Sequence, residues 1–130
     1  MQLLLFALVA VLTLVGVRAN SNGIPASAPE QVVIVHFDYG NPDWKPFFEF
    51  ETTLENAINR SGVGNYDGNE LAVDGSDGTL FMYGRDTDKL LAVARPILLS
   101  TRLLKNVTVT LHYGSLDDKL ARVVRLRLSS

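Results

Sequence analysis

The chain has 130 residues, 47% of them apolar and 20% charged, with a formal net charge of −2 and no cysteine. That length holds one domain, and the lack of cysteine excludes disulfide scaffolds, thiol nucleophiles and metal centres built on thiolates. A near-neutral balance argues against a general nucleic-acid binder, which carries strong positive charge.

In chain order, the first feature is an almost unbroken apolar run from Leu3 to Val17, followed by Val17-Arg18-Ala19. The run is short of the roughly 20 residues a membrane span needs, and the small residues after it fit a secretory cleavage site. A signal peptide over 1–19, cleaved after Ala19, is therefore expected, with export to the periplasm or the medium and no membrane contact after cleavage. An uncleaved anchor is the alternative, because Met1-Gln2 carries no Lys or Arg. Residues 20–30 are rich in Pro, Ser, Ala and Asn and read as a flexible linker. One domain is expected over 31–130.

Gln31 to Tyr39 is β-branched and aromatic with apolar residues on both sides of the pleat, as in a central strand. Pro46 suits a helix start, and Phe47, Phe50, Leu54, Ala57 and Ile58 recur at helical spacing up to Arg60-Ser61-Gly62. Glu49, Glu51 and Glu55 fall toward the start of that helix, where negative charge is favoured. Asn69–Asp74 and Thr79–Gly84 read as a hairpin around Gly75-Ser76-Asp77-Gly78. Asp86 supplies an N-cap for a second helix with Leu90, Leu91, Ala94, Ile97 and Leu98 inward. Pro96 is expected to kink or shorten it. Asn106–Tyr113 alternates as a strand, and Val123–Leu128 reads as an edge strand guarded by outward Arg125 and Arg127. The fold class expected is α+β, a ferredoxin-like βαββαβ antiparallel sheet with two helices on one face, plus an extra C-terminal edge strand.

Residues that carry chemistry are few. His36 and His112 both point to the helix-free side of the sheet, but at opposite ends of neighbouring antiparallel strands. An offset of four residues, about 13 Å, is too long for one metal ion. Asp67, Glu70, Asp74 and Asp77 crowd the hairpin and are weak metal candidates. An EF-hand is excluded, since its sixth position would be Glu70 and its twelfth Ser76. No nucleophile elbow, Walker loop or dinucleotide glycine pattern occurs, and no cofactor is expected. Asn59-Arg60-Ser61 and Asn106-Val107-Thr108 match the glycosylation pattern.

Charge is unevenly placed. Residues 20–88 hold 12 acids and 3 bases, whereas residues 89–130 hold 2 acids and 8 bases. Two readings stand side by side: an internal match between the basic tail and the acidic half, or a surface for an acidic partner. The helix-free face is expected to carry Val32 and Ile34 with Phe81 and Tyr83, or else with Leu80 and Met82. Such a face calls for cover by a second copy or another protein. Interaction-face candidates are Val32, Ile34, His36, Phe81, Tyr83 and His112.

The tracts Gly64-Asn65-Tyr66-Asp67-Gly68-Asn69-Glu70, Asp74-Gly75-Ser76-Asp77-Gly78 and Phe81-Met82-Tyr83-Gly84-Arg85-Asp86 resemble a group of small, mostly bacterial hypothetical proteins. Those share a G-x-[YF]-D-G-x-E loop, a Y-G-x-D strand–helix junction and a tract similar to Val109–Gly114. The resemblance spans about Val33 to Gly114 and implies the element order above; it implies no activity, and members often lack an export signal. The sequence thus leads to an exported, non-catalytic protein-interaction or oligomerisation module, with a homodimer or an unidentified protein as partner. The alternatives are a small hydrolytic or metal-assisted enzyme using acids near the 67–77 hairpin, which a pocket joining Asp67, Glu70 and Tyr83 would favour where a flat apolar sheet face would favour binding, and a structural envelope component.

Overall fold

A computed structural model describes residues 30–129; the expected signal segment and all of the linker except Glu30 lie outside the described residues. The elements are β1 (Gln31–Asp38), α1 (Lys45–Ser61), β2 (Asn65–Leu71), β3 (Asp77–Gly84), α2 (Thr87–Ser100), β4 (Lys105–His112) and β5 (Val123–Arg127). They form one antiparallel sheet in the order β2-β3-β1-β4-β5, with both helices packed on one face. The α+β class, the one-sided helices and the C-terminal edge strand are as expected; β5 extends the sheet past a strict ferredoxin-like order. Among the described residues no helix is long and apolar enough to cross a membrane.

The core follows from strand alternation and helical spacing. Val33, Val35 and Phe37 of β1, Leu80 and Met82 of β3, and Val107, Val109 and Leu111 of β4 point toward the helices. Phe47, Leu54 and Ile58 of α1 and Leu90, Ala94 and Leu98 of α2 meet them. At one end, Phe47 stacks on Phe37 at 5.4 Å between centroids and contacts Trp44 edge-on at 5.4 Å. Tyr39 stacks on Trp44 at 4.2 Å, and the Trp44 indole donates to the Ala72 carbonyl, so this cluster also secures the β2–β3 hairpin.

Three local expectations need correction. β2 starts at Asn65 and ends at Leu71, four and three residues earlier than the Asn69–Asp74 strand expected. Turn-type residues enter a strand here because β2 bulges against β3 between Tyr66 and Gly68, and Gly68 takes a φ of 104° that a side chain would resist. α2 runs unbroken through Pro96. Proline removes the hydrogen bond to the carbonyl of Ala92, but both residues are solvent-exposed, so water can satisfy that oxygen. Finally, α1 has no acid in its first turn, because it starts at Lys45 and Glu49 falls beyond it. The carboxylate of Asp43 accepts from the Lys45 N–H there, at 3.0 Å.

The edge strand β2 is tied to α1 by side chains. The Glu51 carboxylate accepts from the Tyr66 hydroxyl and from the Asn69 side-chain amide, each at 2.5 Å. Burial, and next the bond and negative charge of Glu51, push the Tyr66 phenol far above its ordinary value. A raised phenol contributes stability that is complete below about pH 10 and falls as pH rises beyond it. Tyr66→Phe is expected to cost about 2 kcal/mol at pH 7, the worth of a charge-assisted bond. Above pH 10 the wild type should lose about 1.4 kcal/mol per pH unit more than the variant. Urea unfolding at pH 7, 10 and 11 measures both; parallel pH profiles would contradict the assignment.

Candidate interaction face

The face of the sheet away from the helices is built in rows across the strands. One row reads Gly68, Phe81, Ile34, Thr110, Arg125, from β2 to β5. A second reads Glu70, Thr79, His36, Thr108, Arg127, and a third Asn65, Tyr83, Val32, His112, Val123. Pairing decides what spacing left open: Phe81 and Tyr83 share this face with Ile34 and Val32, while Leu80 and Met82 lie in the core.

The result is a graded surface. Ile34, Phe81 and Tyr83 are half-buried in its middle, and Val32 is almost wholly covered at 1% exposure although it lies outside the core cluster. Toward β2 the face is acidic, with Asp67 and Glu70; toward β5 it is basic, with Arg125 and Arg127. The two edges stand four strand spacings apart, about 19 Å, beyond the reach of one side chain to another. The β5 arginines therefore do not reach the β2 acids, and of the acidic half it is Asp38 that Arg127 approaches, through Asn106. Among the described residues no Lys or Arg pairs with a carboxylate; His36 Nε2 lies 2.9 Å from Asp77 Oδ2, both about half exposed. Arg127 instead donates to Asn106 Oδ1 at 2.8 Å, and Asn106, at the bulge in β4, donates to Asp38 at 2.8 Å.

Beside the apolar centre, Asp67, Asn69, Glu70, Phe81 and Tyr83 line an open depression of about 280 Å³. Burial, then the charges of Asp67 and Glu30, push the Tyr83 phenol up, so it stays a neutral donor near two carboxylates. The depression joins Asp67, Glu70 and Tyr83, the grouping that the enzyme alternative requires, and it depends on the β2 bulge and on the β2–β3 register. A larger hollow of about 420 Å³ lies between the C-terminal end of α1 and the start of α2, lined by Glu30, Gly62–Asn65, Gly84–Asp86 and Lys89. Its helix terminus is already occupied: Asp86 accepts from the N–H groups of Asp88 and Lys89.

The remaining candidates are dispersed. His112 lies opposite Val32, four residues along β1 from His36, and its Nδ1 lies 2.9 Å from the Gly114 carbonyl oxygen. Asp77 is engaged by His36. Asp74 sits at the hairpin turn, where Ser76, through its hydroxyl and then its backbone N–H, holds the carboxyl below the usual range. Of the four acids, Asp67 and Glu70 alone share the depression. Among the described residues no three His, Asp or Glu side chains gather as a metal-holding group.

Comparison with protein families, with curated proteins and with solved structures finds no match for this chain.

Proposed function

We propose that the chain is an exported, non-catalytic protein-interaction module that binds through the helix-free face of its sheet. The supporting observation is the apolar centre of that face, where Ile34, Phe81 and Tyr83 stay half-exposed beside the covered Val32, flanked by charges with no partner across the sheet. A face of an antiparallel sheet left to water is ordinarily polar; aromatic and β-branched residues at its middle suit burial on association.

Affinity capture on the wild-type chain, on Phe81→Glu and on Val73→Glu tests this. Val73 is 96% exposed at the far hairpin and controls for general loss of surface hydrophobicity. Phe81→Glu should reduce the recovered partner, including the chain itself, about tenfold or more, as expected for a central apolar anchor. Val73→Glu should leave it unchanged. Equal recovery from all three would refute the face.

A second reading, a small hydrolase, draws on the meeting of Asp67, Glu70 and Tyr83 in one depression. Both carboxylates are exposed or on an open wall of the edge strand, which gives an acid–base pair little of the desolvation that tunes it. The interaction reading uses the same groups without requiring it.

A further inference from the structure

We infer that the occupant of this face is a second copy of the chain, packed about a two-fold axis that runs along β1, with Arg125 of each copy seated in the Asp67–Glu70–Phe81–Tyr83 depression of the other. The inference rests on the interaction reading above and names its partner.

The topology makes the prediction geometric. β1 is the middle of five strands, so β2 and β5 lie at equal distances on either side of it, about 10 Å each. Two sheets packed face to face can be related by a two-fold axis along the strands or across them. An axis across the strands lays β2 over β2 and β5 over β5, acid against acid and arginine against arginine. An axis along β1 exchanges the edges and lays the β5 of one copy over the β2 of the other. Charge selects the second.

Register then selects the residues. An axis along β1 preserves each row, so Ile34 meets Ile34, Arg125 falls over the Gly68–Phe81 end of its row, and Arg127 falls over Glu70. The depression at that end offers two carboxylates and two aromatic rings. A guanidinium is suited to both at once, taking carboxylates on its N–H edge and a ring on its plane. Arg125 is exposed and opposite Thr110, so it is free to extend from the sheet. The symmetry builds the contact twice, so both edges of each sheet are satisfied.

The test is sedimentation equilibrium of the full-length chain and variants in parallel, with circular dichroism to confirm folding. Asp67 and Arg125 are both exposed, so substitution there leaves the core untouched. Arg125→Glu and Asp67→Arg should each weaken dimerisation about tenfold or more, and the double variant should recover to within about threefold of wild type. Raising salt should weaken the wild-type dimer. A dimer indifferent to both single substitutions, or one that the double variant does not rescue, overturns the proposed packing. A wild type that is monomeric at high micromolar concentration overturns the second copy as occupant. In that case loss of a different protein on Phe81→Glu would preserve the interaction reading, and no loss would remove it as well.

Discussion

Phe47→Ala is expected to destabilise the domain by about 3–5 kcal/mol. Phe47 is fully buried and sits where α1 meets the sheet, with Phe37, Tyr39, Trp44 and Phe50 around its ring. Truncation leaves a ring-sized void whose walls are themselves aromatic and hold one another in place, so the site closes poorly. Domains of this size have about 5–15 kcal/mol in total, so the variant is expected near its folding limit at 37 °C. Phe48→Ala, one residue on and 48% exposed, should cost less than about 1 kcal/mol. Urea denaturation of the two variants side by side reads the contrast, and similar midpoints would mean the aromatic cluster is not the anchor of α1.

Gly75→Ala is expected to cost about 3–4 kcal/mol through a different mechanism, backbone strain joined to collision. Gly75 has a φ of 79°, and a Cβ there would stand 2.1 Å from the Asn41 carbonyl oxygen. Its own carbonyl accepts from the N–H groups of Gly40 and Asn41, which fastens the β2–β3 hairpin to the exit of β1. Gly40 has the same φ of 79° with nothing near the position of a Cβ. Gly40→Ala therefore isolates the conformational part, about 1 kcal/mol. Thermal or urea unfolding of both variants separates the two causes; equal losses would show that the close approach to Asn41 is relieved at no cost.

Legibility in the sequence tracked how regular each segment is. β4 could be read directly, because Val107, Val109 and Leu111 alternate with threonines, and the inside–outside assignment follows from the pleat alone. α1 was equally plain from its apolar spacing. β2 was not: Asn65-Tyr66-Asp67-Gly68 has turn chemistry, and it is the partner strand β3 and the bulge at Gly68 that make it a strand. Pro96 misled for a related reason. Its cost depends on whether the freed carbonyl can reach water, which the tertiary fold determines.

The face showed the same division. Four apolar residues in succession, Leu80 to Tyr83, cannot reveal which pair faces the helices, and the register Ile34 to Phe81 resolves it. Asp67 and Glu70 were visible as acids, and a pocket joining them to Tyr83 was the condition set for the enzyme alternative. Sequence proximity also grouped them with Asp74 and Asp77, whereas the fold sets them beside Tyr83 and Phe81. Arg125 and Arg127 were legible as outward residues of an edge strand. Their opposition to the acidic edge follows from strand order, which composition cannot supply.

The central place of β1 also governs the order of assembly. Both of its neighbours come from later in the chain: β3 from the hairpin, and β4, beyond α2, from a segment that pairs residue 112 with residue 32. A nascent chain that has emerged only as far as α2 therefore holds β1 with one flank of backbone N–H and C=O groups unmatched, and with Val109 and Leu111 missing from beneath the helices. Neither half can close alone, and folding is gated by the arrival of residues 105–112. In synthesis from the N-terminus, such a late gate leaves β1 half-paired until β4 has emerged.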